Sequence, residues 1–161
     1  MSNKRDFKEE GLTELVMLIA QGNLCAKTEF ARRLLFGDGV DKDEAKAVSL
    51  LEDCAARGDA DAMVMLAKCC AFGCGMEYDA ERAEALLSEA AKKENDEARI
   101  LMELINDWKG KESIDFEERV KGNCTIERVA LVMNIIPCRY LNLKWNRIGD
   151  TEATSLSEAL K

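Results

Sequence analysis

Apolar residues along the first two thirds of the chain recur at helical spacing, and glycine interrupts them at regular intervals. In AKTEFARRLLF, Ala26, Phe30, Ala31 and Leu34 share one face, the three-and-four spacing of a helix that buries a single stripe. The run stops at Gly37, a residue able to take the positive φ that ends a helix. The polar loop GDGVDKD follows. Asp43 stands where an N-cap would open a second helix, EAKAVSLLEDCAARG, which Gly58 closes. The pattern then returns at an offset of 36: residues 26–61 align without gaps on 62–97, with ten identities. These are Ala26/Ala62, Ala31/Ala67, Phe36/Phe72, Gly37/Gly73, Gly39/Gly75, Asp43/Asp79, Ala47/Ala83, Leu50/Leu86, Leu51/Leu87 and Ala55/Ala91. Outside this core, IAQGNLCA (19–26) parallels AARGDADA (55–62), and Ala98, Met102 and Ile105 continue the apolar face of a further first helix. Small alanines sit where two helices must approach closely. One helix pair cannot cover its own apolar face, so the pairs are expected to stack into a solenoid.

The periodicity ends after Trp108. KGKESIDFEERVKGNC is polar with two glycines and reads as a linker over 110–124 with a short helix. TIERVALVMNII reads as an amphipathic helix ended by Pro137. The closing stretch, YLNLKWNRIGDTEATSLSEALK, carries L-x-L-x-x-N-x-I-G-D and then A-x-x-L-x-x-A-L, the pattern of a short strand, a turn and a return helix.

Two resemblances rest on these motifs. Gly37-Asp38-Gly39-Val40, Asp43 to Ala47, and Leu50-Leu51 to Cys54-Ala55 with Gly58 are similar to the Sel-one-like repeat, a relative of the tetratricopeptide repeat (TPR). The second unit matches with Gly73-Cys74-Gly75-Met76, Asp79, Arg82-Ala83, Leu86-Leu87 and Ala90-Ala91, and departs at Glu94, where glycine is usual. The C-terminal segment resembles a leucine-rich repeat of the ribonuclease-inhibitor type, with Leu141, Leu143, Asn146, Ile148, Ala153, Leu156 and Leu160 at its signature positions. The implied fold is mostly α: a right-handed α-α superhelix over 1–109, a linker at 110–124, and a leucine-rich strand-helix unit at 125–161 from an incomplete array.

Composition narrows the chemistry. The chain has 161 residues and a net charge of −8, all of it in residues 1–109; residues 110–161 balance to zero. A negative body lacks the basic footprint of a nucleic-acid binder. There is no histidine, so no imidazole can serve as base, triad member or metal ligand. Seven cysteines without a CxxC pair make a poor zinc or disulfide framework. Cys69, Cys70 and Cys74 instead read as small apolar residues at a helix end, and reduced thiols point to the cytoplasm. Asp6, Glu9, Glu10 and Glu14 break up the only leader-like run, and no stretch is long and apolar enough for a membrane span. Asp41, Asp43 and Glu52 mimic part of a calcium loop, but Lys46 stands where its glycine should be. No serine has lysine three residues on, which removes the penicillin-binding activity known in some relatives.

The expected function is therefore a non-catalytic protein-interaction scaffold or adaptor, with no cofactor or metal. In TPR-like pairs the first helices line a concave face, and register places Thr28, Arg32 and Leu35 there beside Val64, Lys68 and Ala71, with Leu104 as the third equivalent. Arg32 and Lys68 would present a basic spot to an acidic peptide with a hydrophobic end, unless Glu29 and Glu103 pair with them. Two alternatives stand beside this one: a thiol- or carboxylate-dependent enzyme centred near Cys74, and a regulatory fragment that competes with a longer repeat protein.

Overall fold

The computed structural model describes residues 11–110, 113–115, 125–136 and 140–142. Three first helices, α2 (Leu24–Phe36), α4 (Ala60–Phe72) and α6 (Asp96–Trp108), begin and end 36 residues apart to the residue. The second helices α3 (Glu44–Ala56) and α5 (Ala80–Lys92) keep the same interval, and α1 (Leu12–Ala20) precedes them as the second helix of an earlier pair. The period thus persists through α6, where sequence identity has already faded.

Capping explains why the boundaries repeat. Asn23, Asp59 and Asn95 each accept a backbone N–H from the first turn of α2, α4 and α6. Asp43 and Asp79 do so for α3 and α5, as the sequence predicts for Asp43. At the other end, Gly37 and Gly73 take φ values of 71° and 68°. In the second loop a further glycine serves stacking. A Cβ on Gly75 would lie 2.6 Å from the Glu44 carbonyl oxygen, so the loop of the second repeat can press onto the start of α3 only without a side chain there.

The core runs between the layers. Ala31, Ala47, Ala67 and Ala83 are all fully buried, as expected of close helix crossings, with Leu51, Leu66, Leu87 and Leu101 filling the space between. Cys54, Cys69 and Cys70 are buried in the same core and behave as small apolar residues. α4 is the hub of the molecule, packing on α2, α3, α5 and α7 (Ile126–Ile135).

The C-terminal part departs from expectation in two ways. The helix expected to be amphipathic is buried almost all round: Ile126, Val129, Ala130, Leu131, Val132 and Ile135 are covered, because α7 lies against α4, α5 and α6 together. Within the expected linker, Ser113–Asp115 forms a strand, β1, in parallel with β2 (Tyr140–Asn142), paired Ser113 to Tyr140 and Asp115 to Asn142. The strand–α7–strand order supplies the crossover that a parallel pair requires. Most of the segment expected to hold the linker and a short helix, Pro137, and the turn and return helix expected from Asn146 to Leu160 lie outside the described residues, so the complete leucine-rich unit is not shown.

Candidate partner-binding cleft

Phe36 and Phe72 are the last residues of α2 and α4, each followed by a left-handed glycine. No further helical turn covers them, and they remain 71% and 40% exposed. Lys68 lies one turn before Phe72 on the same face of α4. α7 passes over this region, and the space between it and the end of α2 is a cleft of about 460 Å³. Phe72 and Lys68 line it from α4, Phe36 from α2, and Thr125, Arg128, Ala130 and Leu131 from α7 and its N-cap. Glu97, in the first turn of α6, and Glu127 complete the lining.

The charges in the cleft are unequally satisfied. Arg128 embraces Glu97, its Nε donating to both carboxylate oxygens at 3.2 and 3.1 Å and its Nη2 donating to Oε2. Burial alone would raise the Glu97 pKa. The Arg128 hydrogen bonds and the nearby Lys68 and Arg128 charges together outweigh it and hold that carboxyl below its usual range. Lys68 Nζ stands 3.9 Å from Glu97 Oε1, beyond hydrogen-bond reach, and its side chain is 47% exposed.

The residues expected to bind a partner are divided between this cleft and the packed body of the repeats. Lys68 lines the cleft; its carboxylate neighbour is Glu97, not Glu103. Arg32 is outside it and is closed off by a fork to Glu29, with both bonds at 2.8 Å, and by Asp38 at 2.8 Å. These bonds raise its pKa further. At Glu29, burial opposes ionisation, but hydrogen bonds from Arg32 and Arg33 prevail and lower its pKa. Thr28, Leu35, Val64 and Ala71 are buried rather than presented outward. The cause is contact within the first-helix layer: α2 and α4 touch, and Thr28 Oγ1 donates to Asp59 Oδ2 at 2.8 Å across that seam. Leu104 is half-buried against the core and does not line the cleft. Sequence reasoning passed over Phe36 and Phe72 as helix ends, although their identity one repeat apart was a visible signal. Nothing local marks Arg128 or Glu97, whose meeting depends on where α7 docks.

Three of the thiols, Cys54, Cys69 and Cys70, are buried. Burial foremost pushes Cys69 up to about 12 and also raises Cys54 and Cys70. Cys74, between Gly73 and Gly75, is half-buried. Asp43 is spent on its cap and Glu44 on Lys42 at 2.7 Å. Among the described residues, no helix is long and apolar enough to cross a membrane.

No family model matches the chain, and no curated protein matches it. Among solved structures it is similar to the crystal structure of a Sel1 repeat protein from Oxalobacter formigenes, with a TM-score of 0.53 and 26% identity. The match covers 70% of this chain and 44% of the other, so the chain spans less than half the length of that protein. The likeness gives no support to a leucine-rich unit. It does support what the 36-residue helix period already displays: a solenoid of Sel1-like helical repeats.

Proposed function

We propose that the chain is a non-catalytic interaction scaffold that holds a segment of a partner protein on the concave, first-helix side of its repeats. The cleft carries this reading: two exposed phenylalanines at equivalent positions of successive repeats flank a space of about 460 Å³ that also holds an exposed lysine. Aromatic side chains at the centre of an interface commonly supply most of its binding energy. The likeness to a Sel1 repeat protein adds support, since stacked repeats offer an extended surface to a ligand. In this reading Lys68 is retained from the expected contacts, while Arg32, Leu104 and the buried Thr28, Leu35 and Val64 serve the scaffold itself. The enzyme alternative near Cys74 has less to stand on: the chain has no histidine, and burial raises the neighbouring Cys69 and Cys70 thiols. The leucine-rich reading of 125–161 stays within the proposal, supported by a helix followed by a strand that pairs in parallel with an earlier one.

The test is affinity capture from cell extract with the parent chain and with Phe36→Ser combined with Phe72→Ser. Phe36 is exposed and Phe72 partly so; the change should cost little stability, about 1 kcal/mol or less, which a thermal melt checks. The partners recovered with the parent should be lost with the double variant. Their full retention would place the binding surface elsewhere.

A further inference from the structure

The cleft also has a chemical preference, set by which of its charges are already satisfied. Both carboxylate oxygens of Glu97 are taken by Arg128, so this pair is closed within the protein. Lys68 approaches the same carboxylate only at 3.9 Å and keeps nearly half of its side chain in solvent. Lys68 and Phe72 stand four residues apart on α4, so the cation and the ring are neighbours on one face, roughly 5–6 Å apart at Cβ. Phe36 adds the second ring.

Building on the partner-binding reading, we infer that the cleft takes a peptide segment bearing a carboxylate side chain about one helical turn, or two extended residues, from an aromatic or large aliphatic side chain. The apolar group sits between Phe36 and Phe72, and the carboxylate meets Lys68 Nζ. Both spacings follow from Lys68 and Phe72: side chains at i and i+4 of a helix lie about 6 Å apart, and those at i and i+2 of a strand nearly 7 Å. A carboxylate also gives Lys68 the hydrogen-bonded partner it lacks among the described residues. A basic segment would have to rely on Glu127, the exposed carboxylate on the first turn of α7, because Glu97 is already engaged. The two charge preferences therefore make opposite demands on Lys68 and Glu127.

A displayed library of random dodecapeptides selected on the full chain supplies the probe. The selected peptides are then synthesised and titrated against the parent, Lys68→Gln, Glu127→Gln, and Phe36→Ser with Phe72→Ser. The selected sequences should pair Asp or Glu with an aromatic or large aliphatic residue at one of the two spacings. Lys68→Gln should weaken binding by about tenfold, whereas Glu127→Gln, which removes a like charge from the rim, should strengthen it by about twofold. Rising salt should weaken the parent complex. Lys68→Gln breaks only a long, half-exposed ion pair, so its melting temperature should match the parent's. Peptides that need both phenylalanines but are indifferent to Lys68→Gln, or bind better with it, would overturn the charge preference and leave the cleft as the binding site. Peptides indifferent to the phenylalanine pair, or a selection that enriches nothing, would overturn the site reading as well.

Discussion

Glu94 occupies a backbone position that the preceding repeat assigns to glycine. After α3, Gly58 turns the chain with φ at 89°; 36 residues later Glu94 makes the equivalent turn after α5 with φ at 61°. A side chain in this left-handed region is crowded against its own backbone, at a cost of about 1–2 kcal/mol, partly offset by the lower entropy of a non-glycine residue in the unfolded chain. Bonds on either side hold the turn: Glu94 N–H donates to Ala91 O at 3.0 Å, and Asn95 caps α6. Replacing Glu94 with glycine should therefore raise stability by about 0.5–1 kcal/mol and lift the melting temperature by a few degrees. A thermal melt checks this, and an unchanged or lower midpoint would mean that the turn is not strained. Such positions are legible in the sequence because their chemistry is local. Gly58 against Glu94, and Asp43 as a cap, can be read from one repeat laid on the next. The Thr28–Asp59 bond cannot, because it joins two helices whose spacing only packing sets.

The element that the sequence describes least well is α7. Its apolar residues imply a helix, but not that three helices would cover it, and neither Ser113 nor Asp115 signals the strand that precedes it. The helix is fastened near both ends. Arg128 grips Glu97 at its start, and Tyr78 Oη donates to the Asn134 carbonyl at 2.5 Å near its end. The first of these contacts depends on pH. The Glu97 carboxyl is held below its ordinary value of 4.5, so it stabilises the folded chain at pH values above that figure; the contribution is lost as pH falls towards the lowered value. Glu97→Gln should thus be less stable than the parent near neutrality, by about 1 kcal/mol given its partial exposure, and the two melting curves should converge in acid. Melting temperatures across pH provide the measurement. A constant offset would show that shape, not charge, accounts for the loss.

At the scale of the whole molecule, the repeat period makes the helical layers legible, but the same period leaves open which of the equivalent positions stay exposed. Register shows which positions are equivalent, but not which of them a neighbour covers. Thr28, Leu35 and Val64 are buried by the adjoining helices, while Phe36 and Phe72 stay open at the helix ends. The long-range placement of α7 decides the rest. A simple solenoid unfolds like a row of units, each held by its neighbours and fraying from either end. Because α7 bridges α4, α5 and α6, and the Tyr78–Asn134 contact spans 56 residues of sequence, the later units should unfold as a single cooperative block. Native-state hydrogen exchange should accordingly be lopsided. Amides of α1, where Val16 and Met17 are more than half exposed, should open by local fraying, whereas those of α4, α5, α6 and α7 should share one high opening free energy. Independent opening of α6 would show that the bridge carries no cooperativity. The same long-range closure raises the contact order of an otherwise local fold, so the chain should fold more slowly than a helical array of its length without such a bridge.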